Sequence, residues 1–279
     1  MRLARTIAMS LLLLALAAGC GASPSAARVV ANRPAVRHEQ AAGGAPVVAV
    51  RAAPASGVEA ANAGRPPARL LFVGASVTSG SGASTAAHAY PAVVGAEIEA
   101  AGRLVQLHVL ARGGITVATA DTWDLALPSD LVVVQLATND FNQDVPLAAF
   151  QATYNDVLRR VRQASPRAQL LCLGGWDDPG SVNGIGLAAA DYDGVAWSGC
   201  TLAGGRYVDL SAIYLDPRNH GPAGRSTYQG TGDHFHPNDR GHEELAARVL
   251  ASQDLPYQVP PVALATPSPP AASSEAISD

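Results

Sequence analysis

Charge is sparse in this 279-residue chain: 15% of its residues are Asp, Glu, Lys or Arg, the formal balance is −4 and the pI is near 5.9. No basic surface is implied, which removes nucleic acid as an expected partner. Long apolar runs are missing too. The longest, Ile7 to Ala18, is shorter than the roughly 20 residues needed to cross a bilayer. The hydrophobic share of 48% is swollen by alanine in the flanks and is no membrane signal. There is no internal repeat, and nothing suggests a second core, so the length fits one ordinary domain with extensions. Cysteine is limited to three positions, 20, 172 and 200.

The N-terminus reads as an address. Arg2 and Arg5 precede the apolar stretch, and Leu16-Ala-Ala-Gly-Cys20 resembles a bacterial lipobox, although Ala17 stands where leucine is commoner. The expectation is a signal peptide over 1–19 and a lipidated Cys20 that anchors the protein to the outward face of a cell membrane. The alternative is an ordinary cleaved signal with an incidental cysteine. Residues 20–67 are rich in Ala, Gly, Pro and Arg, without periodicity, and read as a disordered linker. As a flexible coil it spans about 35 to 40 Å. Residues 254–279 read as a disordered Pro/Ala/Ser tail. Once Cys20 is assigned to lipid, Cys172 and Cys200 are a possible disulfide pair in an oxidising compartment, closing a loop of about 27 residues worth roughly 3 to 4 kcal/mol. Two buried free thiols are the alternative.

Between the flanks, over 68–253, five apolar runs near residues 70, 105, 131, 169 and 206 alternate with segments that accept helical periodicity at 87–101, 116–126, 146–164, 187–198 and 238–252. That alternation predicts an α/β fold, a three-layer, flavodoxin-like, doubly wound parallel sheet of about five strands. In the third helical segment Leu147, Phe150, Tyr154, Val157, Leu158 and Val161 form one buried stripe, which leaves Arg159, Arg160 and Arg162 on a solvated face. The Gly/Pro/Asn/Asp-rich stretches 177–186 and 216–232 read as loops at the active edge, the usual place for substrate choice.

In such a sheet the ligand crevice lies at the carboxyl ends of the strands. The run Leu70-Leu-Phe-Val-Gly-Ala-Ser76 delivers a serine there. On its own, Ser76 is as readily a helix cap. Near the other end, Gly232-Asp-His-Phe-His236 places Asp233 three residues before His236, just ahead of a helix. A hydroxyl is a weak nucleophile until a base takes its proton, and an imidazole serves best when a carboxylate fixes its tautomer. Two more strand ends supply donors: backbone N–H groups at Gly113 and Gly114 after the second run, and the Asn139 amide after the third.

Taken together, Gly74-Ala-Ser76, Gly114-Ile-Thr116, Ala137-Thr-Asn-Asp140 and Asp233-His-Phe-His236 resemble, in order, the four blocks of the SGNH (GDSL-like) hydrolases over about residues 69 to 250. The resemblance implies the SGNH hydrolase fold, with Ser76 as nucleophile, His236 as general base and Asp233 as its orienting carboxylate. It implies an oxyanion hole made of the Ser76 and Gly114 N–H groups and the Asn139 amide. The family usually has Asp where this chain has Ala75, and Gly where it has Ala137. The hydrogen bonds bracing the Ser76 turn are therefore expected to differ. An α/β-hydrolase shares the order Ser, Asp, His, but the turn Gly74-Ala-Ser-Val-Thr78 lacks that fold's second glycine.

The expected activity is that of an exported serine esterase acting through an acyl-enzyme on an acetylated carbohydrate or a short-chain acyl ester, without metal or cofactor. The protein is expected to be a monomer that touches the membrane only through its lipid. Two other functions compete: a non-catalytic glycan- or lipid-binding lipoprotein with a degenerate SGNH fold, favoured by Ala75 and Ala137, and an acyltransferase using the same triad. Trp176, just after the fourth run, is a candidate substrate contact. His234, His236 and His242 with Asp233 form an alternative metal-site reading, but it leaves Ser76 and Asn139 without a role. His220, His234 and His242 otherwise read as structural or loop residues.

Overall fold

Alternation along the strands decides the layering. In strand β1 (Ala68–Gly74), Leu71 and Val73 enter one apolar cluster while Leu70 and Phe72 enter another on the opposite face. Strands β2 (Val105–Ala111), β3 (Leu131–Gln135), β4 (Gln169–Leu173) and β5 (Arg206–Val208) complete a wholly parallel sheet in the order β2-β1-β3-β4-β5. A strand buried on both faces needs apolar residues at both phases, which is why the runs read as continuous rather than alternating. The computed structural model describes residues 66–255. The expected signal peptide and Cys20 lie outside the described residues, as do the expected linker and tail apart from residues 66–67 and 254–255.

Helices cover both faces. On one, helix α5 (Leu147–Ala164) presents Phe150, Tyr154, Val157, Leu158 and Val161, and helix α6 (Ala189–Leu202) adds Tyr192, Ala196 and Cys200. On the other, helix α2 (Tyr90–Ala100) contributes Tyr90, Val94 and Ile98, and helix α8 (Asp239–Ser252) contributes Leu245, Ala246 and Val249. Cys200 of α6 is joined to Cys172 of β4 by a disulfide with an S–S distance of 2.06 Å. Among the described residues no helix is long and apolar enough to cross a membrane.

Three short helices escape the sequence pattern, α1 (Ser76–Ser79), α4 (Thr138–Asn142) and α7 (Ser211–Tyr214), and a fourth, α3 (Val117–Ala120), is shorter than expected. The segment expected to be helical over 116–126 stops at Ala120. The carbonyls of Asp121 and Trp123 turn instead to the Arg160 guanidinium, which also pairs with the Asp121 carboxylate at 3.0 Å. This corrects the reading of the α5 arginines as a solvated face. Arg160 ties α5 to the end of α3, and Arg162 donates to the carbonyls of Ala168 (2.7 Å) and Ala203 (3.0 Å). Arg159 alone of the three keeps to its own helix, pairing with Asp156. Within the 216–232 loop a small hairpin forms from β6 (Ser226–Thr227) and β7 (Gly230–Thr231).

Candidate active site

The connection from β1 to β2 runs to one side of the sheet, and β3 lies on the other side of β1. This is the switch point at which parallel sheets open a crevice. Ser76 follows β1, Gly114 follows β2 and Asn139 follows β3, so all three strand ends reach the same edge.

Ser76 is the first residue of α1 and is nearly buried. Below it, Thr78 Oγ1 donates to Gln135 Oε1 at 3.2 Å and lies 3.0 Å from the Tyr90 hydroxyl, an enclosed polar network that fixes α1 on β3 and α2. Burial pushes the Tyr90 phenol upward, so it stays protonated. The turn after α1 is braced from a distance. Ser79 Oγ donates to the Ser76 carbonyl at 2.8 Å, Tyr228 Oη and Gln229 Nε2 both donate to the Ser79 carbonyl, and Gln229 Oε1 accepts from Ser81 Oγ at 2.9 Å. The β6–β7 hairpin is thus a clamp on the Ser76 turn. It does the bracing at a site where Ala75 has no polar side chain, and the Ala75 methyl is buried in the core.

Asp233 and His236 form a tight pair. Asp233 Oδ1 accepts the backbone N–H groups of Phe235 (2.9 Å) and His236 (2.7 Å), and Oδ2 stands 2.8 Å from His236 Nδ1. Burial opposes the Asp233 charge, but the hydrogen bond and field of His236 and the two backbone N–H groups outweigh it and hold the carboxyl below the usual range. An ionised carboxylate only accepts, so Nδ1 carries the proton and Nε2 is left as the basic nitrogen. The pair is carried to the Ser76 turn through Gly82. There φ is +90°, and an added Cβ would fall 2.2 Å from the Pro237 carbonyl and 3.1 Å from His236 Cβ. No side chain fits that approach. Ser81 N–H in turn donates to the Ser76 carbonyl at 2.9 Å.

On the opposite flank, Asn139 lies in the first turn of α4, and its Nδ2 is buried without a hydrogen-bond partner. Buried donors are nearly always paired; Arg103 Nε and Tyr154 Oη are the other buried side-chain atoms without a partner among the described residues, and Asn139 is the one at the crevice. The loop after β2 comes close as well: a Cβ placed on Gly113 would lie 3.8 Å from Ser76 Cβ. Ala137, just before α4, has φ +118° and ψ −45°, a conformation suited to glycine. Asp140, 1% exposed, accepts the Val117 N–H with both oxygens. Burial raises it to about 7 against the opposing pull of that N–H. Asp177 is buried beside Asn142 and Thr138, and burial pushes it well up.

Trp176 is corrected by the structure. It is wholly buried, its Nε1 donates to the Phe235 carbonyl at 2.7 Å, and its ring packs against Tyr214 and His220. It braces the Asp233–His236 segment from beneath and does not face substrate. His220 joins it there, with Nδ1 2.8 Å from the Phe235 carbonyl and Nε2 2.5 Å from that of Tyr214. The histidines do not gather: among the described residues no group of three or more His, Cys, Asp or Glu is placed to hold a metal. His242 is buried in the core, where its Nε2 donates to the Ser81 carbonyl at 3.1 Å, and burial lowers it to about 4. Asp140, Gln143, Tyr228, Gln229 and the support role of Trp176 were not legible in sequence, because each acts on a residue distant along the chain.

The sequence model of the GDSL-like Lipase/Acylhydrolase family matches residues 72–244. No curated protein matches the chain in sequence. Among solved structures it is similar to TesA, at 18% identity and a TM-score of 0.51, over 66% of this chain and 97% of that one. It is similar to a variant of Axe2, an acetyl-xylooligosaccharide esterase from Geobacillus, at 18% identity and a TM-score of 0.50, over 66% and 93%. A salicylyl-acyltransferase, SsfX3, from a tetracycline biosynthetic pathway is similar at 18% identity and a TM-score of 0.51, over 68% of this chain and 55% of that one. At such identity these likenesses speak to fold, and the fold is the five-stranded SGNH architecture. With the family match extending from β1 into α8 and spanning all four blocks, the chain belongs to the GDSL-like lipase/acylhydrolase family of SGNH hydrolases.

Proposed function

We propose that the protein is a serine esterase working through an acyl-enzyme. The observation that supports this reading is the Asp233–His236 pair, whose bond at Nδ1 leaves Nε2 as the base, with the His236 backbone packed against Gly82 just after the Ser76 turn. Ser76 Oγ attacks the ester carbonyl while His236 takes its proton. The developing oxyanion receives hydrogen bonds from the Ser76 and Gly114 N–H groups and the Asn139 amide, whose Nδ2 has no competing partner. His236 then returns the proton to the leaving alkoxide, and water repeats the cycle to release the acid. Asp233 stabilises the imidazolium in both halves. None of these steps calls on a metal or cofactor.

The substrate proposed is an ester of a carbohydrate or a short acyl chain, in keeping with the acetyl-xylooligosaccharide esterase among its structural neighbours. The N-terminal pattern supports a proposal of export and anchoring through Cys20, and the catalytic domain is proposed to act as a monomer outside the membrane. A fluorophosphonate probe tests the nucleophile: it should label the wild-type protein and leave Ser76→Ala unlabelled. Equal labelling of both ends the assignment. Analysis of products with water and a sugar as competing acceptors separates hydrolysis from acyl transfer, the chemistry named for the acyltransferase neighbour.

A further inference from the structure

Two oxyanion donors on different elements act together only if something fixes their separation. Asn139 stands on α4 after β3, whereas Gly114 stands in the loop after β2, and β2 and β3 flank β1 without pairing with each other. Sheet register therefore links these two donors only through β1. Two side chains of α4 and its C-terminal cap make a direct link. Gln143 Nε2 donates to the Gly114 carbonyl at 2.9 Å, and Asp140 holds the Val117 N–H at 3.2 and 3.1 Å. Between those two anchors the backbone has little freedom. Gly114 takes φ +75°, and Ile115 is buried in the core.

We propose that Gln143, with Asp140, is a positioning residue that holds the Gly114 N–H in register with the Asn139 amide, so that both reach one oxyanion. The proposal rests on the esterase reading above. Gln143 is the informative arm because its side chain is exposed and its own backbone N–H already bonds to the Asn139 carbonyl. Loss of its amide removes the tie and leaves α4 capped. Displacements of about 1 Å at a reacting centre can cost as much as 100-fold in rate, so loosening one donor of three should be felt in turnover before it is felt in folding.

The test is steady-state hydrolysis of p-nitrophenyl acetate by Gln143→Ala, Gln143→Glu and Gln143→Lys, with inhibition by a phenylboronic acid and thermal unfolding on the same preparations. Gln143→Ala should lower kcat about tenfold with KM changed by less than about twofold, since the lost interaction belongs to the transition state. Boronate affinity should fall by a similar factor, because the tetrahedral adduct uses the same hole. Gln143→Glu sets an acceptor against the Gly114 carbonyl and should lose more. Gln143→Lys restores a donor and should recover most of the loss. Wild-type kcat and boronate affinity in all three variants would overturn the proposal, as would parallel losses of activity and melting temperature that the lysine does not rescue. Fluorophosphonate labelling separates the two readings. If Ser76 is not labelled, the esterase reading fails; if Ser76 is labelled and the Gln143 variants turn over normally, only the positioning role fails.

Discussion

Replacing Asn139 by alanine should make the protein a far worse enzyme and a slightly more stable one. Its Nδ2 is buried with no partner, and leaving a buried donor unpaired costs about 1 to 3 kcal/mol. Asn139→Ala removes that penalty and places a better helix former inside α4, a gain of a few tenths to about 0.7 kcal/mol. Against this stands the lost packing of a half-buried side chain, about 1 kcal/mol for the atoms removed. The net expectation is a stability increase near 1 kcal/mol, or about 2 to 4 °C in melting temperature for a domain of this size. Turnover moves the other way: removal of one oxyanion donor costs about 100-fold to 1000-fold in kcat. Urea denaturation at pH 7 reads the first effect, and p-nitrophenyl acetate hydrolysis reads the second. A destabilisation above about 1 kcal/mol would mean that the amide is satisfied in the free protein. A kcat within about threefold of wild type would mean that it does not serve the oxyanion. Either result refutes the reasoning.

Ala137→Gly should leave stability unchanged or raise it by up to about 1 kcal/mol, because relief of φ +118° (about 1 to 3 kcal/mol) offsets the lost methyl and the added chain entropy. Ala196→Gly, at a buried position inside α6, should by contrast lose about 1 to 2 kcal/mol, and a similar loss at 137 in urea melts would remove the strain argument. Reducing the Cys172–Cys200 bridge, which closes a 28-residue separation, should cost about 3 to 4 kcal/mol in the same melts, and detection of two reactive thiols in the unreduced denatured protein would remove its basis. Asp140 and His242 should pull in opposite directions with pH. Between its ordinary 3.8 and about 7, folded Asp140 keeps a proton that the unfolded chain has lost, so stability falls as pH rises, by up to about 4 kcal/mol. Between 6.5 and about 4 the unfolded chain protonates His242 first, so stability falls as pH drops, by up to about 3 kcal/mol. Asp140→Asn should therefore give a stability that rises more steeply from pH 4 to 6.5 than the wild type's, and an unchanged slope would refute the assignment.

Much of the fold could be read from the sequence because its signals are local. Each strand is a short apolar run stopped by polar or turn residues, and the buried stripe of α5 has helical spacing, so sheet, layers and strand ends follow from patterns a few residues long. The four blocks were legible for the same reason. What escaped depends on contacts between residues far apart in sequence. The shortness of α3 is set by Arg160, 39 residues downstream of Asp121. The bracing of the Ser76 turn comes from Tyr228 and Gln229, about 150 residues away, in a stretch whose Gly and Pro content suggests only a loop. Trp176 misled because a large aromatic after a strand suits substrate as well as packing, and only the position of the Phe235 carbonyl decides between them. The substitution at Ala75 is explained by burial in a core cluster, whereas at Ala137 the backbone keeps the shape that glycine would take.

Several of the stability costs among the described residues meet in one place. Within six residues after β3 come a strained Ala137, an orphan amide on Asn139 and a buried Asp140 raised toward neutrality, with buried Asp177 packed against the same short helix. A sequence selected for stability alone would place Gly, Ala and Asn at those three positions. Elsewhere around the site the local choices agree with the fold: Asp233 is bonded at both oxygens, Asn238 caps α8, and the Thr78 network is internally paired. This cluster of costs thus lies on the element that carries the proposed oxyanion amide. On the esterase reading a donor aimed at a transient charge is unpaired in the resting protein, and the adjoining Asp140 is a buried polar group of the kind that folding disfavours. On this account α4 is short because of its task. Asn139 stands in its first turn, Asp140 turns inward to Val117 and Gln143 caps it over Gly114, which leaves no turn free to lengthen.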